Sequence, residues 1–328
     1  MIIYASDDRD QVIGVRLRSY CVEKCLIIES PDIDFGEFMD FMIWVTGVKA
    51  LPHDLRRDGE NTMYGAILGD IIGSPFEFQK VSIPKDFPLF SRRSTYTDDT
   101  VMTIAVCEAL LDAGQDADTQ HIKKLLIPSM HKWGGKYPNA GYGGTFIRWL
   151  LNRATEPYGS YGNGSAMRVS AAGWLYDSLE RTREVAAATA EVTHNHPEGI
   201  KGAEAIACAI YLARTGSSKE DIKEYIVDNF HYNLNRTCDE IREEGQHDVS
   251  CQVTVPEAIT AFLEGEDFED VVRTAVSLGG DTDTIAAMAG SIAEAFYGVP
   301  EELKSECRKR LPEDLLQVLD RYLSEIRV

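Results

Sequence analysis

Basic residues are scarce in this sequence. Its 33 Lys and Arg stand against 53 Asp and Glu, a net charge of −20, and a field of that sign argues against a sequence-independent grip on nucleic acid. Any anionic ligand must then be held by local devices such as bound metal or helix N-termini. Long apolar runs are missing too. The densest, Phe41 to Val48, falls far short of the roughly 20 residues that span a bilayer. The N-terminus lacks the basic-then-apolar pattern of a secretory leader, so a soluble, cytoplasmic protein is expected. The seven cysteines, Cys21, Cys25, Cys107, Cys208, Cys238, Cys251 and Cys307, include no CxxC pair. An odd set without that spacing suggests buried free thiols rather than a disulfide framework or a zinc site. The phosphate and nucleophile signatures GxxxxGKS/T, HExxH and GxSxG are also absent.

What is present, from Met63 onward, is helix after helix. Small and apolar residues recur at helical spacing over Asp99 to Leu111, Gly164 to Tyr176, Thr182 to Thr193, Glu198 to Ala213, Pro256 to Leu263, Phe268 to Ser277 and Asp283 to Tyr297. Gly114, Gly216, Gly265 and Gly298 stand where helix C-caps are needed. Alanine-rich stretches such as Ala203-Glu204-Ala205-Ile206-Ala207 let helices pack closely. No period of roughly 20 to 50 residues recurs, which argues against a helical solenoid. The fold class is therefore all-α, a compact multi-helix domain over residues 61–328 with a small N-terminal extension over 1–60.

That extension has a different composition. It opens with β-branched Ile2-Ile3 and Val12 to Leu17, then turns acidic and aromatic from Glu29 to Trp44. Glu29, Asp32, Asp34, Glu37 and Asp40 occur there without a basic residue, while Phe35, Phe38, Met39 and Met42 fall at helix-face spacing. Either a solvated amphipathic element or a partner-binding arm, with Asp32, Asp34, Phe35, Glu37 and Phe38 as its contacts, fits this pattern.

The chemistry-bearing residues form two oxygen-rich clusters. Thr97 stands at an N-cap position before Asp98 and Asp99, where carboxylates are favoured by the helix dipole. Asp281 and Asp283 open a second alanine-rich helix behind Gly279-Gly280, which permit close backbone approach. Capping explains either cluster alone, whereas two of them invite a shared cation. Adjacent side chains diverge on a helix, so Asp98 and Asp99, like Asp283 and Thr284, can each serve a different ion of a pair. Hard carboxylate and hydroxyl donors without His or Cys select Mg²⁺ or Mn²⁺. An EF-hand is excluded, because Ala286 and Ile292 stand where its loop needs glycine and glutamate. The run Gly159-Ser160-Tyr161-Gly162-Asn163-Gly164-Ser165 leads into a helical pattern, and backbone N–H groups of such a loop can cradle a pyrophosphate; a plain surface loop fits equally.

In this order the motifs resemble the ADP-ribosylglycohydrolase family, from about Met63 to Tyr297. The resemblance is carried by Gly65-Ala66-Ile67-Leu68-Gly69-Asp70-Ile71-Ile72-Gly73 with Glu77 behind it, Tyr96-Thr97-Asp98-Asp99-Thr100, the glycine loop running to Arg168, Thr193-His194, and Ser277 to Ala286. It implies an all-α fold with two Mg²⁺ ions held by Thr97, Asp98, Asp99, Asp281, Asp283 and Thr284. It further implies cleavage at the ribose C1″ of ADP-ribose attached to protein side chains. Residues matching Gly159, Ser160, Tyr161, Gly162, Asn163 and Gly164 wrap the diphosphate and distal ribose in the family, the residue matching His194 lines the site, and the one matching Glu77 lies on a mobile loop. The expected reaction is attack by a metal-organised water with Glu77 or Asp98 moving the proton.

Thr282 is read as a spacer and His196 before Pro197 as a turn residue. Asp70 either orients a ligand or satisfies a buried partner, and Phe146, Tyr161 and Trp174 are candidates to stack on adenine, core packing being the better reading of Trp174. Because some bacterial members resemble immunity proteins, a second reading is an inhibitor that blocks an ADP-ribosyltransferase toxin through residues 1–60. A third is a hydrolase of a small ADP-ribose derivative.

Overall fold

The computed structural model describes residues 2–6 and 12–16 as strands, and residues 62–80, 82–245 and 248–325. The chain divides into two units, residues 1–52 and 53–328. In the first, β1 (Ile2–Ser6) and β2 (Val12–Arg16) pair antiparallel, with Ile2 opposite Arg16 and Ser6 opposite Val12. The candidate partner contacts Asp32, Asp34, Phe35, Glu37 and Phe38 lie outside the described residues.

The second unit is all-α: its described residues hold 15 α-helices, and sheet pairing among them is limited to one bridge, Gly162 to Ser250. In chain order these begin with α1 (Tyr64–Gly73), α2 (Asp98–Ala113), α3 (Thr119–Lys136), α4 (Gly144–Leu151), α5 (Gly164–Met167), α6 (Ser170–Leu175), α7 (Leu179–Glu191) and α8 (Pro197–Arg214). They are followed by α9 (Lys219–Phe230), α10 (Cys238–Glu244), α11 (Cys251–Glu264), α12 (Phe268–Ser277), α13 (Thr282–Tyr297), α14 (Glu301–Arg308) and α15 (Glu313–Glu325). Among the described residues no helix is long and apolar enough to cross a membrane. Cys107, Cys208, Cys238, Cys251 and Cys307 are free and buried, as expected of structural thiols.

Two expected helices are corrected. The segment Gly164 to Tyr176 is two short helices, broken where Arg168 and Val169 adopt ψ near 0° (φ −98, ψ 2 and φ −82, ψ −6). The helix expected from Pro256 begins at Cys251, so Pro256 lies inside it. A proline suits the first turn because its missing N–H is unused there; here the ring sits one turn further in. Gly265 ends α11 with φ −68, not in the left-handed region. Space explains that glycine, since a Cβ would meet Val271 Cγ2 at 2.4 Å.

The helices α1 and α13 run in backbone contact at the centre of the unit. Gly65, Gly69 and Gly73 recur every four residues and share one face of α1. Added Cβ atoms there would lie 2.2 Å from the Gly290 carbonyl oxygen, 2.1 Å from that of Ala286 and 2.5 Å from that of Thr282. The partners on α13 are themselves four apart, so two matched stripes set the approach. The start of α1 has no side-chain cap at Met63. Glu294 of α13 supplies one, accepting from the Gly65 N–H (2.7 Å), the Tyr64 N–H (3.2 Å) and the Thr62 hydroxyl.

Burial pushes the Glu294 carboxyl up to about 8, against the pull of those donors and of Lys304. A pKa raised on folding adds stability that is present below the unfolded value, roughly 4.3, and is lost as pH rises through the folded one. Glu294→Gln puts an amide NH₂ against a backbone N–H and is expected to cost about 1–3 kcal/mol at pH 6. The gap to the wild type should narrow at pH 9, because only the wild type loses the ionisation-linked term. Urea unfolding at the two pH values, at fixed Mg²⁺, measures it.

Candidate active site

The N-termini of α2 and α13 converge, and each cluster is positioned by a different device. Thr97 caps α2 at the expected place, its Oγ1 accepting from the Asp99 N–H at 3.4 Å. The stronger contact of that hydroxyl is donation to Asp70 Oδ1 at 2.8 Å. Asp70, fully buried on α1, also accepts from the Thr97 N–H (2.8 Å), the Thr100 N–H (3.0 Å) and the Thr100 hydroxyl. Its carboxylate therefore sits on the positive end of α2 and orients the Thr97–Asp99 turn. Of the two readings of Asp70, the geometry supports the orienting one.

At the other cluster Asp281 is the N-cap residue of α13, but its side chain makes no capping bond. Gly279 and Gly280, at φ 80 and 71, turn the chain into it through a region closed to other residues at low cost. One Asp281 oxygen instead accepts from Asn163 Nδ2 at 2.7 Å. Asp283 Oδ1 accepts from the Thr284 N–H at 2.9 Å. The Thr284 hydroxyl reaches Asp99 Oδ2 at 3.3 Å, which joins the two clusters directly. Thr282 is turned away, its hydroxyl donating to the Gly73 carbonyl at 2.9 Å.

Glu77, Asp281 and Asp283 each offer a carboxylate oxygen, all within 4.8 Å of one another. Glu77 follows the short 3₁₀ turn Ser74–Phe76 and is exposed, while the two aspartates are buried. Its loop is anchored to the second cluster, since the Phe78 N–H donates to the Gly280 carbonyl at 2.7 Å and Phe78 takes φ 50. Asp98 approaches from the other side under the turn at Ala140–Gly141: its N–H donates to the Ala140 carbonyl at 2.9 Å, and Oδ1 lies 3.2 Å from where a Gly141 Cβ would stand. That turn escaped sequence reasoning, although Pro138-Asn139-Ala140-Gly141 carries a turn composition.

Electrostatically the site is a set of acids crowded out of water. Burial first, and then mutual repulsion, pushes the Asp98 carboxyl up to about 8 and those of Asp99 and Asp283 well above the usual range. Burial also lifts Asp70 to about 6, and burial with Asp281 and Asp70 nearby lifts Glu77. Asp99 Oδ1 is buried with no hydrogen-bond partner. An orphaned buried carboxylate oxygen inside a cluster of acids and hydroxyls calls for a cation, and donors of hard oxygen alone fit a divalent one. The residues present fit Mg²⁺ or Mn²⁺.

The glycine loop closes one wall. Gly159 takes φ 69 and its N–H donates to Asn195 Oδ1 at 2.8 Å; the Asn163 N–H donates to the Val249 carbonyl and the Cys251 N–H to that of Tyr161. His194 lies buried behind the loop, with Nε2 3.0 Å from where a Gly164 Cβ would stand. Asn195 was not singled out in the sequence, and its place before His196-Pro197 carries no distinctive signal. His196 caps α8, its Nδ1 accepting from the Glu198 N–H at 3.1 Å. Trp174 is core at 6% exposure. Phe146 is buried and stacked on Trp149 at 5.5 Å, and only Tyr161 of the three aromatic candidates is exposed.

Comparison with known proteins agrees with this architecture. ADP-ribosylhydrolase ARH3 of Mus musculus is 31% identical over 341 residues, covering 80% of this chain and 90% of the relative. ARH3 of Homo sapiens is 30% identical over 331 residues, covering 77% and 89%. ADP-ribosylarginine hydrolase Tri1 of Pseudomonas putida is 24% identical over 283 residues, covering 76% and 72%. A solved ADP-ribosylglycohydrolase-related protein complex shares the fold, with a TM-score of 0.57 at 23% identity over 80% of this chain and 93% of that one. Residues 52–328 match the ADP-ribosylglycohydrolase family. An all-α unit with two acidic helix N-termini facing one glycine loop, matched over that span, places the chain in the ADP-ribosylglycohydrolase family as an enzyme of the ADP-ribosylhydrolase class.

Proposed function

We propose that residues 61–328 form a Mg²⁺-dependent hydrolase that removes ADP-ribose from modified protein side chains by cleaving the glycosidic bond at ribose C1″. The observation that carries this is the junction of three sequence-distant parts. Thr284 touches Asp99 at 3.3 Å, and Asn163 of the glycine loop touches Asp281 at 2.7 Å. The oxygen cluster and the anion-cradling loop are thereby one site.

Thr97, Asp98, Asp99, Asp281, Asp283 and Thr284 would hold two divalent ions, which supply Lewis acidity at the ribose end. Gly159 to Gly164 bind the diphosphate and distal ribose, with His194 behind them. Glu77, whose carboxyl pKa is raised by partial desolvation and by the neighbouring Asp281 and Asp70, is the candidate to give or take a proton at the scissile linkage, with Asp98 as its alternate. The acidic surroundings stabilise positive charge on the ribose as the bond breaks. Proteins carrying defined ADP-ribosyl linkages to arginine, serine and other side chains, incubated with the enzyme, provide the test. Release of ADP-ribose is expected with Mg²⁺, is expected to stop with EDTA and to return with Mg²⁺ or Mn²⁺. Absence of release from every linkage overturns the proposal, and activity confined to free nucleotides reassigns the substrate to a small molecule.

A further inference from the structure

Arg168 is only 1% exposed, and no carboxylate among the described residues forms an ion pair with it. Its Nη2 donates to Thr193 Oγ1 at 2.7 Å and reaches the Thr189 carbonyl at 3.5 Å. The guanidinium lies 5.8 Å from the Phe146 ring centroid, and Nε has no partner. A cation buried without a counter-ion is costly, so what it touches is informative.

Thr193 Oγ1 lies 2.8 Å from His194 Nδ1. Arginine can only donate, so the threonine oxygen accepts. An oxygen that accepts from a cation becomes a better donor and a poorer acceptor, because the bonds polarise one another. The hydroxyl hydrogen therefore goes to His194 Nδ1, which leaves the ring proton on Nε2. Tyr158, whose ring packs 5.7 Å from His194 and whose hydroxyl also neighbours Thr193, is the competing acceptor. Burial and the adjacent Arg168 charge hold His194 well below the usual imidazole pKa, so the ring is neutral. Its Nε2 faces the loop, 3.0 Å and 3.8 Å from where Cβ atoms on Gly164 and Gly162 would stand.

We propose that Arg168 is a positioning residue which, through Thr193, fixes His194 as the Nε2–H tautomer and so presents one N–H donor to the anionic part of the ligand in the Gly159–Gly164 loop. The identity of that ligand rests on the ADP-ribose reading above; the relay itself does not.

Full-length protein labelled with ¹⁵N-histidine, with His194 assigned through His194→Gln, tests it by long-range ¹H–¹⁵N spectra. A neutral ring protonated on Nε2 is expected in the wild type. Thr193→Val should shift that signal toward mixed tautomers, and Thr193→Ser should restore it. In calorimetric titration with ADP-ribose, Thr193→Val is expected to weaken binding about tenfold, the size of one lost hydrogen bond. Thr193→Ser should stay within about twofold, and Thr193→Val should add nothing in a His194→Gln background. A wild-type proton on Nδ1, or losses that add in the double variant, overturns the proposal. A wild type that binds no ADP-ribose sinks the functional reading instead, while the tautomer spectrum still decides the relay.

Discussion

Asp99→Ala and Asp283→Ala are each expected to lower kcat/KM for ADP-ribose release by at least ~10²-fold, beyond the 10–100-fold typical of groups that only orient a metal ligand. The same residues should behave unusually in stability. Asp99 is buried, one of its oxygens has no donor, and Asp70, Asp98 and Asp281 all repel its charge. Replacing a buried polar residue ordinarily destabilises. Here Asp99→Asn removes repulsion while keeping the shape, so its Tm in EDTA is expected to match or exceed that of the wild type. Mg²⁺ should raise the wild-type Tm, since a ligand at 100 times its Kd stabilises by about 2.7 kcal/mol, and the rise should shrink in Asp99→Asn. A wild-type Tm indifferent to Mg²⁺, or an EDTA-treated variant much weaker than the wild type, would show that the cluster is not a cation site.

The helices and the oxygen clusters were legible in the sequence, because both are local. Phe268–Ser277 appears with the bounds its spacing suggests, and Thr97 caps where a threonine before two aspartates should. Capping was the rival explanation for both clusters, and the structure separates them: Thr97 does cap, whereas Asp281 does not and spends an oxygen on Asn163. What was not legible depends on long-range contact. The role of Asp70 is set by Thr97 and Thr100, 27 and 30 positions away. Nothing local marks Arg168, whose environment is set by its burial and by the break between α5 and α6. Pro256 misled because a proline at a helix start is the common case, and nothing local reports that α11 already runs from Cys251.

Net charge takes on a sharper meaning in this setting. A chain at −20 that binds an anion needs positive potential at one point rather than everywhere. Under the proposed function it would come from the N–H that His194 presents to the loop and from the divalent cations that the acids would gather. The acids therefore serve two ends, since they repel an anion when bare and attract one when loaded.

The other large effect acts through backbone contact between two helices rather than through a charged side chain. Gly69→Val is expected to destabilise beyond the ~1–3 kcal/mol usual for overpacking, because an added Cβ would stand 2.1 Å from the Ala286 oxygen, 2.3 Å from its carbon and 2.5 Å from the Ala287 nitrogen. Those atoms are backbone and cannot rotate aside, so α1 and α13 must separate. Gly135→Ala is the control. Nothing lies within 4 Å of that position near the end of α3, and the change should be neutral or stabilise by about 0.5–1 kcal/mol. Position along the stripe then separates fold from function. At Gly65 a Cβ meets Gly290 and Glu294, far along α13 from the oxygen clusters, whereas at Gly73 it meets Thr282 O at 2.5 Å and Asp283 Cα at 2.6 Å. Alanine at 65 should lower the unfolding midpoint with little change in kcat/KM of the molecules still folded. Alanine at 73 should lower kcat/KM and blunt the Mg²⁺-induced rise in Tm even at temperatures where the protein stays folded, because the helix start that carries Asp281, Asp283 and Thr284 is what it displaces. Equal losses of activity at the two positions would mean that the stripe holds the fold together without setting the geometry of the site.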